Sequence, residues 1–117
     1  MNKFNARKRK YKGETFDSTA EMRRWNQLKK MEEAGEITGL SRQVKFVVIP
    51  SQRVVINDEV IKERECCYIA DFVYTKDGST VVEDVKGYTK GIAYQYYNLK
   101  RKLMLERYGI AIKEVRL

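Results

Sequence analysis

Apolar residues at helical spacing predict a first helix that runs from Asp17 or Ser18 to Ala34. Gly35 follows this segment and is typical of a position that ends a helix. The side chains that recur every three residues, broadly on one face, are Met22, Trp25, Leu28 and Met31.

A second helix is predicted after Gly87, and Gly109 is expected to end it. Its apolar residues return to a helical period, the pattern of a face that packs on a core. The residues that carry this period are Ile92, Tyr96, Leu99 and Leu103.

Short apolar runs between and after the helices are typical of strands. Pro50 and the Asn57-Asp58 pair interrupt them, as expected where strands end. The runs cover residues 37–40, 44–49, 54–56, 66–74 and 80–86, with a last strand over residues 110–115. The order of helix, several strands, helix and strand predicts an α/β (α+β) fold.

The Asp77-Gly78 pair between two β-rich runs is the strongest local signal for a hairpin in the chain. If these two residues form the loop, Asp71 faces Asp84 across the hairpin. Alternation of side chains then puts Lys86 on the same face as both aspartates. Glu83 falls on the other face, opposite Phe72.

Two opposed carboxylates inside apolar runs repel each other, because directly paired side chains lie only about 5 Å apart. A bound divalent cation would relieve the repulsion, and so would a raised pKa of one carboxyl group. Two simpler interpretations remain open. Either aspartate could lie at a solvated sheet edge, or Asp84 could form an ordinary ion pair with Lys86.

The composition fits one domain over residues 14–117, preceded by a flexible basic arm over residues 1–13. No run of 18 apolar residues and no signal-peptide core occurs, so we expect a cytoplasmic protein with no membrane partner. The chain has no histidine, which excludes histidine nucleophile pairs, histidine-bound zinc and a histidine general base. Cys66 and Cys67 are adjacent, and we expect them to be small apolar residues of a strand.

Charge is segregated along the chain, which has a net charge of +8. The first 12 residues hold six basic side chains and no acid, and residues 86–117 hold eight basic side chains against two acids. This distribution favours a polyanionic partner, although a solvated tail and helix face would have the same charges. The candidate contacts to such a partner are Arg7, Lys8, Arg9, Lys10, Lys90, Lys100, Arg101 and Lys102.

An aspartate in one strand followed by an acid-x-Lys triplet in its partner resembles the PD-(D/E)XK nuclease superfamily. Asp71 matches the first acid, and Asp84-Val85-Lys86 matches the triplet, with Ala70 where the pattern has proline. The likeness covers roughly residues 11–117 and is greatest to a small phage-encoded group. The stretches that carry it are Phe16-Asp17-Ser18 with Glu21, Tyr68-Ile69-Ala70-Asp71-Phe72, Val82-Glu83-Asp84-Val85-Lys86-Gly87 and Leu99-Lys100-Arg101-Lys102-Leu103.

The resemblance implies a restriction-endonuclease-like core, in which helices flank a central mixed sheet. It also implies hydrolysis of phosphodiester bonds that depends on Mg²⁺ or Mn²⁺. Asp71, Asp84 and the Val85 carbonyl would hold the first ion, and Lys86 would orient the attacking water. Glu21 would join the site in the outer shell or at a second ion. Ser18-Thr19-Ala20-Glu21 also fits a capping box, in which Glu21 would only bond the backbone of Ser18.

Small single-domain members of this superfamily include Holliday junction resolvases that act as homodimers. The resemblance thus implies a homodimer that cleaves branched DNA, in a bacterial cytoplasm if the gene is carried by a phage. Tyr94, Tyr96 and Tyr97 could stack on exposed bases, although aromatic residues of a helix more often belong to the core. The alternatives are a non-catalytic nucleic-acid-binding protein, a nuclease for linear or nicked DNA, and a phage assembly protein.

Overall fold

The computed structural model describes residues 9–11, 14–87 and 91–116, with side chains from Thr15 onward. It contains two helices and eight strands over this part of the chain. The elements are β1 (Arg9–Tyr11), β2 (Glu14–Phe16), α1 (Thr19–Glu33), β3 (Thr38–Ile49), β4 (Gln52–Ile56), β5 (Glu59–Glu63), β6 (Cys66–Lys76), β7 (Ser79–Val85), α2 (Ile92–Tyr108) and β8 (Lys113–Val115).

The central sheet has four strands in the order β3, β6, β7, β8. It is mixed, because β3, β6 and β7 are antiparallel neighbours whereas β8 runs parallel to β7. Phe72 and Val73 are consecutive in β6 and so point to opposite faces. Phe72 packs in the cluster of α1, and Val73 packs against the cluster of α2. The helices therefore cover opposite faces of the sheet, which confirms the predicted mixed α/β class.

Helix α1 has the predicted bounds and the predicted buried face. Ser18 is its N-cap, and the Ser18 Oγ accepts a hydrogen bond of 3.1 Å from the backbone N–H of Glu21. Trp25 and Leu28 are buried, whereas Met22 and Met31 pack beside them and are partly exposed. Gly35 follows the C-cap with φ +78°, a conformation that favours glycine.

The predicted hairpin and its register are confirmed. Asp77 and Gly78 both have positive φ, as the tight turn of a two-residue hairpin requires. The pairs Tyr74↔Val81 and Phe72↔Glu83 are those expected from this loop. Cys66 and Cys67 lie at the start of β6, partly buried and not joined in a disulfide.

Three predictions about strands need correction. Residues 37–40 and 44–49 are not separate strands, because β3 runs through both and remains paired with β6 across the polar residues between them. β5 was not predicted, since its apolar residues are only Val60 and Ile61. The last strand begins at Lys113, three residues later than predicted, where pairing with β7 begins.

Helix α2 ends at Gly109 as predicted, but only part of its predicted apolar period packs on the core. Leu103 packs there, whereas Ile92, Tyr96 and Leu99 are exposed, and the buried residues of the helix are Tyr97 and Met104. The reason is that α2 carries more apolar residues than one face can bury, so periodicity alone cannot decide which face packs. No helix in the described ranges is long and apolar enough to cross a membrane.

Part of the predicted flexible arm is a strand. Residues 9–11 form β1 and pair antiparallel with β2, which directly precedes α1. The other residues of the predicted arm, 1–8, 12 and 13, lie outside the described residues.

The β4–β5 hairpin extends from the core as a separate two-stranded sheet. All ten of its strand residues are exposed, including the apolar side chains of Val54, Val55, Ile56, Val60 and Ile61. The radius of gyration is 16.9 Å, against roughly 13 Å for a compact chain of about 100 residues. The projecting hairpin accounts for an elongated shape of 58 × 38 × 27 Å.

A buried ion pair joins α1 to the central sheet. Arg24 Nε and Nη2 each donate to a different carboxylate oxygen of Glu83, both at 2.7 Å. Glu83 is fully buried and also accepts a hydrogen bond from the Tyr74 hydroxyl. Burial opposes ionisation, but the hydrogen bonds from Arg24 and Tyr74 hold the pKa of Glu83 below its usual value. Glu83 is thus a structural carboxylate that faces away from Asp84.

Replacing Glu83 with alanine should lower the free energy of unfolding by about 3 kcal/mol, because Arg24 would lose its buried partner. Urea denaturation at pH 7 measures this loss. Glu63→Ala, in the exposed β5 strand, is the matched control and should change the stability by less than about 0.5 kcal/mol. Equal stability of the Glu83→Ala and wild-type proteins would show that the pair does not join helix and sheet.

Candidate active site

Asp71 lies at an irregularity in β6. Before it, even-numbered side chains of the strand face α2, and after it odd-numbered side chains do. Ala70 and Val73 both contact the α2 cluster, although side chains three positions apart in a regular strand point to opposite faces. The ladder between β3 and β6 also omits Gln43 and Asp71, between the pairs Arg42↔Phe72 and Val44↔Ala70. Gln43 has φ +53°, which marks the irregularity on the β3 side. This irregularity places the carboxylate of Asp71 beside the end of β7.

Asp71 and Asp84 lie close together, one residue beyond the last ladder pair of β6 and β7. Asp71 Oδ2 accepts a hydrogen bond of 2.8 Å from the backbone N–H of Val85. Burial, the Asp84 carboxylate and then Glu21 raise the pKa of Asp71 to about 9. Asp84 itself is only 5% exposed. The predicted encounter of the two aspartates is therefore present in the fold.

Glu21 reaches the same place from the first turn of α1. It is 4% exposed, and its Oε1 accepts a hydrogen bond of 3.0 Å from Gln43 Nε2. Burial, and next the Asp17 carboxylate, raise the pKa of Glu21 to about 7, with a further contribution from Asp84. Ser18 caps the helix as the capping box predicts, but the carboxylate of Glu21 bonds Gln43. Gln43 carries no sequence signal, since its role depends on the irregularity of β3.

Lys86 lies between Asp84 and α2. Its Nζ is 2.5 Å from Asp84 Oδ2 and 3.5 Å from the centroid of the Tyr97 ring. The backbone N–H of Lys86 donates to the Val115 carbonyl at 2.9 Å, which ties the residue after β7 to β8. An ion pair and a cation–π contact thus hold the Lys86 ammonium beside the carboxylates.

Glu114 and Tyr68 complete the surroundings of Asp84, and sequence analysis predicted neither. Glu114 is the partner of Asp84 in the parallel ladder and accepts a hydrogen bond of 2.9 Å from the Tyr97 hydroxyl. The Tyr68 hydroxyl is buried and has no hydrogen-bond partner among the described residues. It lies close enough to Asp84 for that carboxylate to add to the effect of burial in raising the pKa of Tyr68. Only the fold brings these residues together, so no local pattern could have identified them.

Comparison with known proteins gives one family match. Residues 1–116 match DUF1064, a family described as proteins of unknown function. The chain belongs to this family. No curated protein and no solved structure matches it significantly.

The described ranges contain no group of three or more His, Cys, Asp or Glu side chains spaced to hold a metal ion. Asp71 and Asp84 still supply carboxylate oxygens, the donors that Mg²⁺ prefers, and Mg²⁺ needs only one or two carboxylates because it keeps several waters. The Tyr68 hydroxyl is a further polar group close to Asp84. These residues of the DUF1064 chain thus fit a hydrated Mg²⁺ or Mn²⁺.

An open cleft of about 270 Å³ lies against the site. Asp84 and Lys86 line it from the sheet, and Tyr96 and Lys100 line it from α2. The remaining lining residues are Tyr68, Ile69, Ala93 and Tyr97. The cleft gives a ligand access to the Lys86 and Asp84 side chains.

The predicted DNA contacts differ in exposure, in their ion pairs and in whether the structure describes their side chains. Lys102 is exposed, and Lys100 is partly exposed at the cleft. Arg101 Nη1 lies 3.2 Å from Glu114 Oε2, so an acid already partly neutralises it. Arg9 and Lys10 belong to β1, and their side chains lie outside the description. Arg7, Lys8 and Lys90 are not among the described residues.

Asp71→Asn should stabilise the metal-free protein. Since the pKa of Asp71 rises from its ordinary 3.8 to about 9 on folding, ionisation costs stability as the pH rises above about 4. Asparagine avoids this cost and can still accept the Val85 N–H. At pH 8 in chelator, the free energy of unfolding of Asp71→Asn should exceed that of the wild type by at least about 1 kcal/mol, as measured by thermal unfolding.

At pH 3 the gain should vanish, because aspartic acid is then neutral in both the folded and the unfolded chain. Asp58→Asn in the exposed turn between β4 and β5 is the control and should have no effect at either pH. A variant no more stable than the wild type at pH 8 would contradict the repulsion between Asp71 and Asp84.

Proposed function

We propose that this chain is a Mg²⁺- or Mn²⁺-dependent endonuclease that hydrolyses phosphodiester bonds of DNA. The observation that carries the proposal is that two neighbouring strands bring Asp71 close to Asp84, which pairs with Lys86 at an open cleft. Two neighbouring carboxylates that are largely removed from solvent destabilise a fold, and their presence beside a cleft favours a role in chemistry.

Asp71, Asp84 and the Val85 carbonyl would hold the ion, with Glu21 in the outer shell or at a second ion. When bound, the ion would supply positive charge for the phosphate and lower the pKa of a bound water. The protein's part is to position these oxygens. Val85 N–H orients Asp71, and Gln43 orients Glu21.

Lys86 would orient the attacking water and neutralise charge that develops on the phosphate. Its ammonium is partly buried, and its position on the Tyr97 ring limits its movement. The Tyr97 ring is held in turn through its hydroxyl bond to Glu114. This support gives Lys86 a defined place next to Asp84, which a catalytic ammonium group needs.

The basic regions would bind the DNA backbone. Lys100 and Lys102 of α2 are the described contacts, and the arm over residues 1–12 adds six further cations. Contacts to phosphate carry no information about base sequence, so we propose that the protein selects its DNA substrate by shape. Branched DNA is the proposed substrate, cut by a homodimer with one site for each of two strands. The proposed compartment is the cytoplasm, that of a bacterial host if the gene is carried by a phage.

A non-catalytic DNA-binding protein is the second candidate. The contact between Lys86 Nζ and Asp84 Oδ2 favours it, since a satisfied ion pair needs no chemistry. A nuclease for linear or nicked DNA would use the same residues and would differ only in its substrate. Cleavage assays separate these possibilities.

Asp71→Ala, Asp84→Ala and Lys86→Ala should each lower cleavage of a four-way DNA junction in Mg²⁺ or Mn²⁺ by at least about 100-fold. Each variant loses a ligand or the charge that acts on the water, while the basic surface is unchanged. Cleavage is measured on labelled strands in denaturing gels, and binding is measured by fluorescence anisotropy in chelator.

Glu59→Ala, in the exposed β5 strand, is the acidic control and should cleave like the wild type. Nicked, linear and single-stranded DNA in the same assay identify the preferred substrate. Full activity of Asp84→Ala, or of the wild type in chelator, would overturn the proposed function. Junction binding without cleavage in either metal would establish the second candidate.

Lys100→Ala and Lys102→Ala should weaken junction binding and reduce the slope of log K against log salt concentration by about 1 for each lost phosphate contact. Anisotropy titrations between 50 and about 200 mM salt test this. Lys62→Ala, in the projecting hairpin, removes the same charge at a distant surface and should leave the slope unchanged. Identical slopes for the α2 variants and the control would exclude α2 from the DNA surface.

A further inference from the structure

The three tyrosines near the start of α2 have different surroundings. Tyr97 is buried, bonds Glu114 through its hydroxyl and carries the Lys86 ammonium on its ring. Tyr94 is partly buried and packs on Tyr97, with ring centroids 5.7 Å apart. Tyr96 is 64% exposed and lines the cleft. Tyr96 and Tyr97 both line the cleft, but only the side chain of Tyr96 is largely exposed to a ligand there.

A second apolar side chain faces the same cleft from the sheet. Ile69 of β6 is 46% exposed and lines the cleft together with Tyr96. An aromatic ring and a branched aliphatic side chain at one opening suit a flat, apolar-faced group. A phosphate alone would gain nothing from either residue.

Cationic groups stand next to this apolar pair. Lys100 follows Tyr96 by four positions, so both lie on one side of α2, and both line the cleft. Lys86 lies at the opposite wall beside Asp84. An aromatic ring flanked by ammonium groups matches one nucleotide, whose base can stack while its phosphate meets a cation.

We infer that the cleft binds an unpaired nucleobase of the DNA substrate, stacked on Tyr96, next to the phosphate that approaches Asp84 and Lys86. This inference rests on the proposed function for the identity of the ligand as DNA. It also narrows the substrate class. A base within an uninterrupted duplex must first leave its stack, so DNA with unpaired nucleotides at a branch, flap or gap is favoured.

The test measures binding in chelator, so that cleavage cannot occur. The probe is a single-stranded oligonucleotide that contains one 2-aminopurine, and the reference is a blunt duplex of the same length. Tyr96→Ala should weaken binding of the single strand about tenfold and remove the quenching of 2-aminopurine fluorescence. Binding of the duplex, which depends on the backbone contacts, should change less than about twofold.

Two further variants separate the ring from general effects on the helix. Tyr96→Phe keeps the stacking surface and should bind the single strand like the wild type. Leu105→Ala removes another exposed apolar side chain of α2 that does not line the cleft and should change neither affinity. Unchanged binding of the single strand by Tyr96→Ala, or an equal loss for both DNAs, would overturn the inference.

A parallel cleavage assay separates failure of this inference from failure of the proposed function. If Tyr96→Ala loses single-strand binding and the wild type does not cleave DNA in Mg²⁺ or Mn²⁺, the base site is supported and the nuclease proposal is overturned. Wild-type cleavage with single-strand binding that does not depend on Tyr96 supports the nuclease and overturns the base site.

Discussion

The repulsion between Asp71 and Asp84 is the constraint on which the rest of the site depends. Removal from solvent, and next the Asp84 carboxylate, raise the pKa of Asp71 to about 9, so the rest of the fold must offset the free-energy cost of ionising this group. The hairpin of β6 and β7 holds the two aspartates together in spite of this cost. Its tight turn and paired strands fix the register, since a slip of one residue would move every side chain of a strand to the wrong face. The position of the two acids is thus a consequence of backbone pairing, and it persists in spite of their charge.

The acids around the site differ in the group that stabilises the negative charge of each carboxylate. Glu83 is matched by Arg24, Asp84 by Lys86, and Glu114 by Arg101 and Arg116. The hydrogen bond of Asp71 comes from a neutral donor, the Val85 N–H. Glu21 is likewise bonded by the neutral amide of Gln43, and its pKa is raised. Arg42 lies near enough to Glu21 to oppose this rise. Asp71 accepts its hydrogen bond from a neutral donor, and the proposed nuclease would need a cation beside it.

The parts of the fold that could be predicted from the sequence are those that local rules decide. The Asp77-Gly78 turn determines the register of its own hairpin, so the meeting of Asp71 and Asp84 follows from a stretch of about 20 residues. Ser18 and Gly35 likewise mark the ends of α1. The buried face of α2 could not be predicted, because the choice between Tyr97 and Tyr96 depends on a sheet assembled from distant segments. Gln43, Tyr68 and Glu114 enter the site through tertiary packing, and no spacing in the sequence connects them to the aspartates.

The packing of α2 has a consequence for the site, because three of the four residues with the clearest helical period, Ile92, Tyr96 and Leu99, are exposed. A helix usually shows its strongest apolar period on the side that packs. Here the packing side depends on Tyr97 and Met104, with Arg101 between them in contact with Glu114. Tyr96 is consequently left at the cleft, one turn before Lys100. Tyr96 is the exposed residue of this period that lines the cleft, so the packing of α2 through Tyr97 is what places the Tyr96 ring beside Asp84 and Lys86.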